Sequence, residues 1–392
     1  MSTKSELVLE PPVNLLKSAV LRRLLLVVAS PVLVLFLIEL PALLNVVDYK
    51  AVIGPLRGYY ATIDYDPELL YIKHPHARYA GERRGGDITA VYQLPPSDMT
   101  LFRWDAKYDK NGCRNDQDLQ KAGIVVAGDS MVEGITVPTP QLMTSLLGRV
   151  EGKVVANLGQ SAYGPQQELA SLKRFGLPLH PETVLWVFSE ASDLSDVVWY
   201  DAAMRNPPGW WQSLYMRSFT RTAYKTLLLL FGSKPAGIKR SGVVERSNGN
   251  HVSMYFLSPA GPLTAKDFSA IDETAHIVAE ANKLSREQGA RLVLVFAPDK
   301  FRVFHDFCSF PDASECRNWA VNDLPERLRK AVASISPDIG YVDLTPNLVD
   351  AVKRGEVPYY PDDAHWSPEG HKIAAAAINN YFLSMQEPAS PN

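Results

Sequence analysis

The stretch "GIVVAGDSMVEG", Gly123 to Gly134, decides the fold. Ile124, Val125, Val126 and Ala127 form an apolar run without alternation, and it stops at Gly128 before a turn carrying Asp129 and Ser130. Such a run reads as a strand buried on both faces, as in a parallel sheet covered by helices. Working outward, "KVVANLG" (153–159), "TVLWVFSE" (183–190), "RLVLVFAP" (291–298) and "GYVDLTP" (340–346) have the same character. Helical lengths separate them, over about 139–150, 164–176, 267–288 and 322–335, with 368–384 closing the domain. Ser367 is the expected N-cap of the last helix and Pro368 its first residue. This alternation predicts an α/β fold, a flavodoxin-like three-layer α/β/α sandwich on a five-stranded parallel sheet.

In such a sheet, ligands bind beyond the carboxyl ends of the strands. The first strand is followed there by Asp129 and Ser130, the second by Gly159, and the third by Ser192 and Asp193. Beyond the fifth, "VPYYPDDAHW" leads to His365. A serine hydroxyl needs a base to become a nucleophile, and a carboxylate fixes the tautomer of that base. Ser130 is therefore read as the nucleophile and His365 as the base, with Asp363 or Asp362 orienting it. The backbone N–H groups of Ser130 and Gly159 are expected to stabilise an oxyanion. Taken singly, each residue has an ordinary structural reading as a cap, a turn or a satisfied histidine. Their convergence on one edge of the sheet selects the catalytic one.

"VVAGDSMVEG" together with "DDAHWSPEGH" (362–371) resembles the first and last signature blocks of the SGNH (GDSL-type) hydrolase superfamily. "VVANLGQSAYGPQQE" (154–168) resembles the second, and "VFSEASDL" (187–194) sits where the third usually reads Gly-Asn-Asp. The likeness spans roughly 120–200 and 265–385, and the lead-in segments "YDPELLY" and "YDKNGCRND" are similar to those of membrane-anchored bacterial members. The Asp-x-His-Trp form is similar to that of proteins acting on O-acetyl groups of exported polysaccharides, the alginate-acetylating group among them. The resemblance implies an esterase working through an acyl-enzyme, with Gly159 as the oxyanion glycine. Ser192 stands where the family has asparagine, and Ala191 where glycine is usual. The Asp-x-His-Trp spacing favours Asp363 as the acid over Asp362. Trp366 and Asp193 are placed as substrate contacts. Two other outcomes use the same residues: transfer of the acyl group to a sugar hydroxyl, or a non-catalytic module that binds polysaccharide or scaffolds export-complex proteins. No cofactor is implied.

Composition narrows the rest. A net charge of -3 provides no basic face for nucleic acid, and 46% hydrophobic residues suit a folded chain. No Cys or His spacing suggests a metal site, and "HPH" at 74–76 reads as an exposed loop. "LLLVVASPVLVLFLIELPALLNVV" (24–47) is long enough to cross a bilayer and is broken by Glu39. Lys4, Lys17, Arg22 and Arg23 precede it, which keeps that end cytoplasmic. The expected layout is a cytoplasmic tip and single-pass anchor in the inner membrane (1–48), a β-rich lead-in (49–120), and a periplasmic hydrolase-like domain (121–386). An insertion at about 197–265 carries the apolar "YKTLLLLFG", a solvated Gly/Ser/basic loop and the pair Trp210–Trp211. Cys308 and Cys316 are spaced to close a short disulfide in an oxidising compartment.

Overall fold

The computed structural model describes residues 19–386 except 45, 50, 51, 53–62, 93, 207–213, 216, 232–238 and 258–260. Its centre is a five-stranded sheet: β1 (Ile124–Ala127), β2 (Val155–Asn157), β3 (Thr183–Ser189), β4 (Arg291–Ala297) and β5 (Gly340–Asp343). The spatial order is β5-β4-β3-β1-β2 and every pairing is parallel. Alternate residues of each strand feed opposite layers, as the pleat requires. Val126, Val187 and Val295 pack with Ile378 and Phe382 of the last helix, Pro368–Gln386. Val125, Trp186 and Leu294 pack with Ile271 and Val278 of the helix Ala265–Glu287, and with Leu328 of Leu324–Ile335. Both faces are thus covered, which is why these strands read as unbroken apolar runs.

The remaining helices follow the sequence expectation closely at Met143–Glu151, and at Pro165–Ser171 with its continuation to Gly176. Helices Thr345–Lys353 and Asp193–Arg205 were not anticipated. The lead-in contains the antiparallel pair Arg78–Arg84 and Leu101–Lys107, whose second strand alternates Phe102, Trp104 and Ala106 inward.

The insertion is more ordered than its composition suggested. Ser241–Glu245 and His251–Tyr255 form a hairpin, and Cys308–Ser309 adds a third strand to it. Val244 and Met254 are buried, so a segment expected as a solvated loop gains an apolar face from 241 onward. Arg240 is not free in solvent, because it pairs with Glu315 and stacks on Trp319. Cys308 and Cys316 are separate thiols, which corrects the expected disulfide. Both pack into the apolar layer, and burial pushes their pKa values up to about 12 and about 11, disfavouring the reactive thiolate. Trp210 and Trp211 lie outside the described residues.

The chain divides into two compact units. One holds the sheet and the lead-in. The other comprises residues 1–54 and 209–231, and includes the helices Ala19–Leu43 and Phe219–Phe231. Leu26–Leu43 is apolar enough to cross a membrane, with a mean hydropathy of 2.4.

Candidate active site

The turn after β1 aims Ser130 by local means. Ser130 opens a short helix, Ser130–Glu133, and the Asp129 side chain caps it by accepting from Met131 N at 2.8 Å. Gly134 closes it in the left-handed region, φ 56°, and returns its N–H to the Ser130 carbonyl. Gly128 admits the Val132 side chain; a Cβ there would lie 2.4 Å from Val132 Cγ2.

His365 arrives in a loop with almost no regular structure, and long-range bonds hold it. Tyr359 and Trp366 form an isolated bridge, and Tyr360 N donates to the His365 carbonyl. The buried Lys300 ammonium donates to the carbonyls of Tyr360, Pro361 and Asp363 at 2.7, 2.8 and 3.1 Å. Burial lowers its pKa to about 8 against the pull of Asp87, Asp363 and Asp362.

At the centre, His365 Nε2 lies 2.8 Å from Ser130 Oγ and Nδ1 lies 2.6 Å from Asp363 Oδ1. The two adjacent carboxylates do different work. Asp363 faces the imidazole, and its Oδ2 accepts from Asp87 N at 2.9 Å. Asp362 is fully buried and accepts from Gly86 N, Thr100 N and Thr100 Oγ1, so it ties the lead-in to this loop. Burial alone pushes the Asp363 carboxyl up, but His365 and the hydrogen bonds hold it well below its ordinary value. For His365, burial favours the neutral ring, yet Asp363, Asp87 and Asp129 together raise its pKa above the usual range.

Asp87 was not legible beforehand. It belongs to the lead-in, and its carboxylate lies 3.8 Å from His365 Nδ1. It also accepts from Ala364 N at 3.0 Å, while burial and Asp363 raise its pKa. Asp87, Asp363 and His365 have the spacing of a cation site, all ligand atoms within 4.8 Å. A 2.6 Å contact between Nδ1 and Asp363 Oδ1 is a shared hydrogen bond, however, and leaves no room for an ion between them.

A second lead-in tie reaches the helix Ser130–Glu133. Lys73 Nζ pairs with the buried Glu133 at 2.7 Å, and Glu133 also accepts from Ser161 and Tyr108. Burial opposes charge on Glu133, but these partners lower its pKa to about 2.

The expected oxyanion donors are differently disposed. Among the described residues the Ser130 N–H has no acceptor. The Gly159 N–H donates to Asn157 Oδ1 at 2.9 Å, so it is already committed. A Cβ on Gly159 would lie 2.3 Å from Glu133 N, which gives the glycine a packing reason instead. Ser192 Oγ donates to Asp129 Oδ2 at 2.8 Å and must rotate before it can serve an oxyanion. Two expected substrate contacts are corrected. Trp366 is fully buried, edge-on to His371 at 5.6 Å. Asp193 is fully buried too, and its carboxylate accepts from Ser189 N. What does open beside Ser192 is a cavity of about 270 Å³ that Ala191, Ser195, Leu263, Asp299 and Asn322 help to line.

Residues 256–389 match the model of a family described as "SGNH hydrolase-like domain, acetyltransferase AlgX". A comparison with the curated proteins finds no match. Among solved structures, the chain is similar to a GDSL-like lipase from Bacteroides thetaiotaomicron, with 15% identity over 67% of this chain and 88% of the other and a TM-score of 0.33. It is also similar to the lipase/acylhydrolase from Enterococcus faecalis, with 13% identity, 68% and 98% coverage and a TM-score of 0.34. The acetyl xylan esterase AlAXEase gives 10% identity, 66% and 98% coverage and a TM-score of 0.35.

Proposed function

The chain carries an SGNH hydrolase-like domain of the AlgX type, that of an esterase or related acyltransferase, and from that premise we propose that it acts on O-acyl carbohydrate through Ser130. The observation that carries the proposal is the unbroken relay from Ser130 Oγ to His365 Nε2, and from His365 Nδ1 to Asp363. His365 takes the hydroxyl proton as Ser130 attacks the ester carbonyl, and Asp363 stabilises the imidazolium that forms. The Ser130 N–H stabilises the oxyanion, joined by Ser192 Oγ once it turns away from Asp129. His365 returns the proton to the leaving sugar oxygen, which leaves an acyl-Ser130 ester. Water then releases the acid by the same steps in reverse order. If a second sugar hydroxyl enters instead, the enzyme is an acyltransferase with the same residues.

The apolar helix near the N-terminus supports placing this domain outside the cytoplasm on a single-pass inner-membrane anchor. Acylated polysaccharide is then the substrate within reach, and proteins of an export complex are the natural neighbours. The commitment of Gly159 and Ser192 to other partners favours one rival, a binding module that has kept the fold without turnover.

The test is hydrolysis of p-nitrophenyl acetate by the detergent-solubilised chain, beside Ser130→Ala and His365→Ala, with fluorophosphonate labelling of Ser130. Turnover or labelling that disappears in both variants supports the acyl-enzyme. A chain that neither turns over nor labels is the binding module.

A further inference from the structure

Glu39 and the apolar "TLLLLF" (226–231) are features of the sequence that the proposed chemistry does not use. The structure links their two helices. The Glu39 carboxylate accepts from Ser218 Oγ and Thr220 N at 2.8 Å and from Phe219 N at 3.1 Å. These donors are the start of the helix Phe219–Phe231. First-turn N–H groups have no acceptor within their own helix, and the helix dipole favours a negative charge there. A carboxylate that would be costly in an apolar span is thereby given the N-terminus of a second helix as its partner. Tyr49 adds a contact on each side: its ring meets Phe219 edge-on at 5.3 Å and its hydroxyl donates to the Ile38 carbonyl.

Among the described residues, the helix so held presents an apolar stripe with no packing partner. Tyr224, Leu227, Leu228 and Phe231 recur at i, i+3, i+4 and i+7, which places them on one face. All four are exposed, Phe231 by 80%. In the same compact unit, Leu26 and Val32 to Leu37 on the N-terminal helix are exposed as well. Glu39 lies four residues before Leu43, the end of the apolar window, about 6 Å at 1.5 Å per residue, which puts the junction in the far half of the span, towards its end.

We propose that the helix Phe219–Phe231 is a second membrane element, lying in the interface of the bilayer that the anchor crosses, fastened by Glu39, with Tyr224, Leu227, Leu228 and Phe231 against acyl chains. The inference rests on the anchor reading above. The occupant is lipid because the stripe belongs to the same unit as an apolar helix of spanning length, and a stripe of this kind binds in the headgroup–acyl boundary.

The full chain, reconstituted in vesicles of phosphatidylethanolamine and phosphatidylglycerol, would be labelled with a lipid-partitioning diazirine and mapped by peptide mass spectrometry. Wild type should carry label on 26–37 and on 224–231, and little on the domain surface at 149–154. Glu39→Ala should lose label at 224–231 several-fold and keep it on 26–37. Label on the anchor without label on 224–231 would overturn the proposal and leave the anchor standing; protein–protein cross-links at 224–231 would then show a second copy or another protein covering it. Label on 224–231 that Glu39→Ala leaves unchanged removes Glu39 from the role. An unlabelled anchor refutes the anchor reading, and this inference with it.

Discussion

Ser130 and His365 meet at 2.8 Å, yet the chain brings them there by opposite means. The segment Gly128–Gly134 takes its turn mostly from its own residues: Asp129 caps, Gly134 closes, and Gly128 makes room for Val132. The loop around His365 takes its shape from residues 60 to 277 positions away, namely Lys300, Gly86, Asp87 and Thr100. The proposed nucleophile is thus aimed mostly by its own short window, with Lys73 and Tyr108 holding Glu133 at its end, while the proposed base depends on the wider fold and on the lead-in. Substitutions at Lys300 and Asp362 should therefore act mainly through His365.

The relay itself gives the largest effect. Asp363→Asn keeps the shape but removes the charge and favours the wrong tautomer, so kcat should fall by about 10³–10⁴, and the thermal midpoint should drop with the lost ion pair. Steady-state ester kinetics beside a melting curve check this.

Lys300→Met tests the long-range side. It leaves three loop carbonyls without their donor. A loss of about 2–3 kcal/mol is expected in denaturant titrations, with kcat/KM down about 100-fold as the imidazole drifts. Gly128→Ala tests the local side. The new Cβ meets Val132 and should cost about 1–3 kcal/mol. Fluorophosphonate labelling of Ser130 should slow, while the downfield proton resonance of the His365–Asp363 hydrogen bond stays in place. If that resonance moves instead, the division between local and remote control fails.

Asp362→Ala cuts the tie to Gly86 and Thr100. Limited proteolysis should then open the segment 84–100, and kcat/KM should fall about tenfold through loss of positioning. A fully protected segment with lowered activity would mean that Asp362 acts in some other way.

Asp87→Asn is the gentlest change. The negative charge of Asp87 helps to raise the His365 pKa, and the base works only as the neutral ring. Removing that charge lowers the His365 pKa, so the acid limb of the kcat/KM profile should move to lower pH with the plateau nearly unchanged. A shift to higher pH would contradict the assigned electrostatics. The same signs govern stability. The raised His365 pKa stabilises the fold below the ordinary histidine range, and this is lost as pH rises through the raised value. The lowered Asp363 pKa stabilises it above the ordinary carboxylate range, and this is lost as pH falls through the depressed value. At neutral pH the ion pair supports the loop that carries it.

Much of the architecture was legible in the sequence. Unbroken apolar runs located all five strands because burial on both faces leaves a local mark, and Pro368 marked the start of the last helix. Ser130 and His365 could be named because each lies at a strand end or beside a helix start. Only tertiary structure decided that Asp363 faces the imidazole while Asp362 holds the lead-in, that Asp87 and Lys300 surround the loop, and that Trp366 and Asp193 are buried. It also decided that Gly159 and Ser192 already have partners, and that Glu39 meets the start of a helix about 180 residues further along the chain. The reason is physical. Periodicity and turn chemistry act within one stretch of chain, whereas a buried donor or acceptor takes whichever partner the fold brings to it.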